Sequence, residues 1–523
     1  MSWTEDKALR RIEEMQRTAP VGDIRVEQFE PYFRGRETLA EAARARGAAQ
    51  EEPIWYVPRN RAVTTHGVHI YANLIDYNDK LVDGDRETEA SHERALQFLN
   101  LHYGACDQLI AAFNIQRVDF HGSRLHAVVL TPVGPDREVE RIEKAITFAA
   151  AFREMVLQAS ARFGAGFQTQ VRIGIDSGPA VAVNSGQRTE PEPLFIGSPA
   201  NHAAKLADGD VEGVFLSPGV QRVWQGGGGE VEVGLGRIEK AAEVGFLERD
   251  LQLGAATARV RSRLDEAFSA LVAAREEVSK AQAGPSPAAF RFHHREPPLR
   301  TIDFRDHPPS NAIRMSLTSI FSDIDGFTAY VDTAIATGQV AQAVANLHVL
   351  RGEMAAVLRE DYGGRKVRFI GDCLHGLVAE GGSQRTDDQR TVRSAVMVAA
   401  ALRSSFDLCK QVLPGISSLG LGIGIEHGWT PVCRLGLRGE ASVRCSSSRA
   451  TCVSEAEQRR CGGRETAIGE AAFAAGDVLV KHVFRGDRKA VNLTFSAASS
   501  LLTGMSAPQV RRSDPEPMRA HLG

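Results

Sequence analysis

The chain has 523 residues, 43% of them hydrophobic and 24% charged, a size and balance that exclude both a single small domain and a disordered chain. Its formal net charge of -3 offers no basic surface for nucleic acid or anionic lipid, and no run of about 18 apolar residues could span a membrane. Seven cysteines with no CxxC or other metal-ligand spacing predict free thiols in a reducing, cytoplasmic compartment.

The opening "MSWTEDKALRRIEEMQ" is charged and helical in pattern, unlike a secretion signal, and residues 1–60 form an extension with no readable chemistry. "HIYANLIDYNDKLVD" (69–83) then begins as a strand, and "SHERALQFLNLHYGACDQLIAAF" has the period of a helix. "VDFHGSRLHAVV" (118–129) predicts a tight hairpin about Gly122, followed by a helix at "EVERIEKAITFAAAFREMVLQASARF" and a strand at "RIGIDSG" (172–178). "ARVRSRLDEAFSALVAAREEVSKAQ" predicts another helix, and the Pro-rich "GPSPAAFRFHHREPPLR" a linker. A strand at "SIFSDIDGFTAYVD" (319–332) leads to a helix, a hairpin at "VRFIGDCLHGLV" (367–378), a further helix and a strand at "LGIGIEHG" (421–428). From about residue 501 the Ser, Pro and Arg content lacks periodicity and predicts a loose tail.

The second series repeats the first. Asn73 and Asp323 are offset by 250 residues, Gly122 and Gly371 by 249, and Gly174 and Gly424 by 250. Three matches in order at a near-constant offset make the chain two copies of one domain. The element order predicts an α+β fold, with helices packed against an antiparallel sheet in each copy. The boundaries read as an extension at 1–60, one copy at 61–253, a helical and Pro-rich linker at 254–310, a second copy at 311–500 and a tail at 501–523. Asp323 and Asp325 would share a face only if their strand continued, and Gly326 predicts that it stops. Taken alone, the pair reads first as a turn and helix cap.

"FSDIDGFT", followed 49 residues later by the hairpin "FIGDCLHG", resembles the class III nucleotide cyclases, in which two aspartates hold two metal ions. The resemblance covers most of 66–250 and 314–497. It implies two tandem cyclase-type domains with ferredoxin-like sheets, paired within one chain as a pseudo-heterodimer, and hence a monomer. It further implies that Asp323, Asp372 and Ile324 hold two divalent cations, Mg²⁺ or Mn²⁺. A strand end and an adjacent hairpin turn can present two carboxylates to one cation, whereas Asn73 and Ser123 in the first copy are not anionic ligands. Without the family, Asp372 is a plain Gly-Asp hairpin turn.

"LFIGSPANHAAKLA" (194–207) resembles the family segment in which an Asn orients the ribose and an Arg four residues later steadies the transition state. Asn201 matches the Asn, and Lys205 replaces the Arg on the same helical face. In the second copy Thr451 and Glu455 stand near those positions. The division of labour implies one productive site between copies, with the metal-bearing copy second, the reverse of mammalian adenylyl cyclases. Arg438 matches the triphosphate-binding arginine, or is a surface turn residue. Phe327 and Thr328, at a helix start, would take phosphate oxygens on their backbone amides.

Where adenylyl cyclases read adenine with a Lys and an Asp, this sequence has Asp119 and Leu194. Tyr71 either lines the base pocket or is a core aromatic. An anionic Asp119 needs N–H groups on the base, which disfavours adenine and leaves uracil, cytosine and guanine. The resemblance runs furthest to the pyrimidine cyclases of Pycsar antiphage systems. It implies a UTP, or alternatively CTP, cyclase whose product activates an effector in antiviral defence. A guanylyl or adenylyl cyclase, or an inactive nucleotide-binding pseudo-cyclase, are the alternatives.

Overall fold

In a computed structural model of the protein, describing residues 3–18, 21–35, 57–58, 60–184, 192–226, 242–244, 254–281, 290–436 and 443–503, the same sheet is built twice. In the first copy the order is Gln116–His121, Arg124–Val129, Arg61–Leu74, Val171–Asn184, Gly213–Leu216 and Ala242–Val244. In the second it is Arg365–Ile370, Cys373–Val378, Ala312–Asp325, Gly420–Leu435, Glu465–Ile468 and Lys489–Val491. The central strands run antiparallel, and one crossover in each copy adds a parallel strand. The α+β class and the tandem arrangement are therefore as the sequence implied.

Helices Glu89–Phe113 and Glu138–Phe163 cover one face of the first sheet, burying Phe98, Phe148 and Phe152 among its Val and Ile side chains. The first helix starts at Thr88, whose hydroxyl accepts from the Ser91 amide at 3.0 Å, and ends at Asn114 in the left-handed region (φ 48°). The expected linker helix, Gly254–Ala281, belongs to this layer: Leu264, Ala267 and Leu271 are buried in it. The Pro-rich segment beyond residue 289 packs as well. Leu299, Ile302 and Phe304 close the other face of the second sheet, as Phe29, Tyr32 and Val57 of the extension close that of the first. Covered on both faces, the central strands lose the polar alternation of a half-solvated sheet. The helix Phe495–Thr503 buries Leu502, so order reaches past the expected start of the tail; residues 504–523 lie outside the described residues.

The two cores exchange strands' ends. Val181, Val183, Leu194 and Ile196 pack into the second copy's core, and Cys433, Leu435, Val443 and Cys445 into the first's. The extension crosses over as well, which its sequence did not reveal. Helix Glu5–Thr18 lies on the second copy, with the Trp3 ring 4.7 Å from that of Phe495 and its Nε1 donating to Ser405 Oγ at 2.8 Å. Arg11 forks onto Glu353 (2.9 and 2.6 Å) and onto Asp361 (3.1 and 3.0 Å), both buried acids. Removing that fork leaves Asp361 to Lys7 and takes from the buried Glu353 its cation, with only the Ser405 hydroxyl still donating to it, so Arg11→Ala is expected to destabilise the second copy by about 3 kcal/mol, read as a lower urea midpoint. An unchanged midpoint would refute the pairing.

Candidate active site

Each copy's hairpin turn holds a glycine with positive φ, Gly122 at 50° and Gly371 at 62°, as a two-residue connection requires. The turn brings residue 123 or 372 beside the end of the central strand. In the first copy this adjacency is direct: Ser123 Oγ donates to Asn73 Oδ1 at 2.7 Å, two neutral groups satisfying each other. At the matching place the second copy sets Asp372 against Asp323. Burial and then the charge of Asp325 push Asp323 up to about 6. Burial and then Asp323 push Asp372 well above the carboxylate range, although its own amide and that of Ile324 donate to it.

Asp323 and Asp325 do share a face, contrary to the sequence expectation. The strand Ala312–Asp325 stays in register to its last residue, opposite Gly420, and only Gly326 (φ 83°) turns the chain into helix Phe327–Ala336. Two half-buried carboxylates held in repulsion suit a bound cation, which would relieve both. Among the described residues no three His, Cys, Asp or Glu side chains form a metal cluster. The carboxylates of Asp323 and Asp372, with the backbone of Ile324 beside them, are hard oxygen groups that could hold Mg²⁺ or Mn²⁺.

These carboxylates open into a cavity of about 560 Å³ between the copies. Tyr71, Asp119, Leu194, Asn201 and Lys205 line it from the first copy, and Asp323, Ile324, Phe327, Thr328 and Asp372 from the second. Ten of the eleven sequence-selected residues thus meet at one place, while Arg438 lies outside the described residues. Asn201 Nδ2 donates to Thr328 Oγ1 across the copies. The helix carrying Asn201, Ser198–Leu206, is capped from the other copy, its Ser198 amide donating to Asp332 at 3.0 Å. Tyr71 stacks on His126 with ring centroids 4.1 Å apart, so it serves both as cavity wall and as packing. Leu194 is buried in the second copy's core while facing the cavity.

Asp119 faces a cation that sequence reasoning passed over. Arg368 of the second copy donates to its Oδ1, and His121 Nδ1 lies 3.6 Å from its Oδ2. Burial opposes the charge, yet Arg368 with His121 and Arg117 brings the carboxyl below its usual value. Two more cations at the cavity, Arg124 and Arg459, also went unnoticed. Arg124 pairs with Asp208 at 2.6 Å and Glu455 at 3.3 Å, and Arg459 donates to Glu455 at 2.6 Å. They lie outside any motif; only the one-turn spacing of Glu455 and Arg459 could have hinted at a pair.

The second copy's counterpart of Asn201 lies one residue further along the chain than the repeat offset implies. Ala182 pairs with Phe195 but Val432 with Ser446, so the offset grows from 250 to 251 along this hairpin. Gly174 accordingly meets the Ala203 carbonyl, and Gly424 that of Ser454. Cys452, rather than Thr451, stands opposite Asn201, and Ala456, rather than Glu455, opposite Lys205. The pseudo-equivalent site keeps only about 50 Å³, with Tyr77 donating to Ser447 at 2.5 Å in its wall.

Two like sheets that share a cleft, with paired carboxylates on one side and an Asn and a Lys on the other, define a nucleotide-cyclising catalytic core. The adenylate and guanylate cyclase catalytic domain matches residues 84–233. A uridylate cyclase of a Rhizobium species is 44% identical over 496 residues, 93% of either chain. A uridylate cyclase of Pseudomonas aeruginosa is 33% identical over 524 residues, 98% of this chain and 94% of that one. The chain belongs to the class III nucleotide cyclases and is a nucleotide cyclase. A crystal structure of a class III adenylyl cyclase-like ATP-binding protein from Pseudomonas aeruginosa superposes with a TM-score of 0.79 at 30% identity, over 96% of this chain and all of that one. The family generally uses divalent cations, in keeping with the donor set above. No described helix is long and apolar enough to cross a membrane.

Proposed function

We propose that the protein is a pyrimidine nucleotide cyclase that converts UTP to 3′,5′-cyclic UMP and pyrophosphate at a single site between its copies. The observation that carries this reading is Asp119, a carboxylate kept charged at the wall of the cavity that also contains Asp323 and Asp372. A charged carboxylate accepts from uracil N3–H and repels the lone pair of adenine N1. Leu194, an apolar wall, offers nothing to an exocyclic amine.

Asp323, Asp372 and the Ile324 carbonyl would hold the cations. Two bound divalent ions would acidify the ribose 3′-hydroxyl and neutralise the triphosphate. Asn201, whose Nδ2 is engaged by Thr328, keeps Oδ1 to accept from the ribose and align the 3′-oxygen with the α-phosphorus. That oxygen attacks, the bond to the β-phosphate oxygen breaks, and pyrophosphate leaves. Lys205 would offset the charge growing on the α-phosphate as a point charge, without the fork of an arginine. The amides of Phe327 and Thr328, together with Arg438, would receive the β- and γ-phosphates. By the Pycsar resemblance, the cyclic nucleotide would activate an effector in antiviral defence.

The test is product analysis of the purified protein given UTP, CTP, GTP or ATP with Mn²⁺, with cyclic UMP expected as the main product. The solved relative is an ATP-binding protein, which favours a second reading, in which ATP occupies the cavity here. Turnover of ATP ahead of UTP would establish it, and nucleotide binding without pyrophosphate release would leave a pseudo-cyclase.

A further inference from the structure

Asp119 and Arg368 occupy equivalent places in the two copies, in "VDFHG" and "VRFIG", and the pseudo-twofold arrangement brings them together. Arg368 is 5% exposed and contributes to the small pseudo-equivalent cavity, not to the large one. It therefore reaches Asp119 from behind. Its Nη1 donates to Asp119 Oδ1 and to the Phe120 carbonyl, and its Nη2 to the Arg444 carbonyl, so three acceptors fix the guanidinium plane. Asp119 Oδ2 is buried and accepts no hydrogen bond among the described residues, yet a third of the side chain is exposed. With Oδ2 buried, Oδ1 is the one carboxylate oxygen left to meet the cavity, and Arg368 already uses one of its lone pairs.

We infer that Arg368 is a positioning residue for base recognition: it turns Asp119 so that the cavity meets one acceptor instead of a two-oxygen fork. This rests on Asp119 as the base reader and sharpens it. Guanine presents two parallel N–H groups, at N1 and N2, which a carboxylate meets with both oxygens. Here one of them stays unpaired, a loss of roughly tenfold to hundredfold in specificity. Uracil, with its single N3–H, loses nothing.

Two measurements test it. In the wild-type enzyme, inosine triphosphate, which lacks the N2 amine, is expected to be used as well as GTP; a tenfold advantage for GTP would overturn the inference. In Arg368→Met the ratio of kcat/KM for GTP over UTP is expected to rise at least about tenfold, mainly through KM, with GTP pulling ahead of inosine triphosphate. Arg368→Lys should return part of the discrimination. A folded, UTP-active Arg368→Met with the wild-type ratio also overturns it. Should Asp119→Ala leave base preference unchanged, the reading of Asp119 itself fails; a shift there without one in Arg368→Met removes only Arg368.

Discussion

Asp323→Ala and Asp372→Ala are each expected to lower cyclisation by roughly 10³-fold or more, since a cation charge worth several kcal/mol in the transition state is lost with either ligand. Asn73→Ala and Ser123→Ala should retain most of the activity. They break the 2.7 Å bond between the same positions of the first copy, at a cost of about 1 kcal/mol in stability. Turnover of all four variants, with circular dichroism to verify folding, tests the single site, and an inactive Asn73→Ala would refute it. The same pair predicts a pH effect. Asp323 is pushed up to about 6, and Asp372 is raised well above its usual range. Both hold protons more tightly than free carboxyls, and protons compete with cations. Mn²⁺ affinity should therefore climb as pH rises through about 6, with proton release on binding. Affinity independent of pH between 5 and 8 would place the cation elsewhere.

The base preference carries the other large effect. UTP is expected to exceed ATP in kcat/KM by roughly 10⁴, because adenine N1 offers the Asp119 carboxylate no N–H and sets its own lone pair against that charge. Asp119→Ala should lower UTP turnover and narrow the gap to ATP, while Mn²⁺ binding at Asp323 and Asp372 stays intact. The separation is possible because Asp119 comes from the first copy, and Asp323 and Asp372 from the second. Wild-type preference for ATP would reject the pocket assignment, and preference for GTP would keep Asp119 as reader while removing the pyrimidine label.

The repeat, the hairpin turns and the paired carboxylates were legible in the sequence because each is local. Positive φ at Gly122 and Gly371, and an aspartate at a strand end, leave their mark within a few residues of chain. Helix Glu138–Phe163 matches its apolar periodicity end to end for the same reason. The Asn201 counterpart was misplaced because a one-residue change in a hairpin leaves the motif recognisable and moves every later contact by one.

The sequence by itself determined that two copies exist, which one holds the carboxylates, and which holds Asn201 and Lys205. Only the tertiary structure decided how the copies complete each other. Glu192 is one case: Lys366 at 2.9 Å, Arg444, and Arg351 at 3.9 Å meet it from the other copy and, against the effect of burial, keep its carboxyl far below the usual range. Arg11 on Glu353 and Arg368 on Asp119 are others. Ion pairs between residues hundreds of positions apart have no period and no fixed spacing. They form where folding brings opposite charges together out of water, and that coincidence exists only in three dimensions.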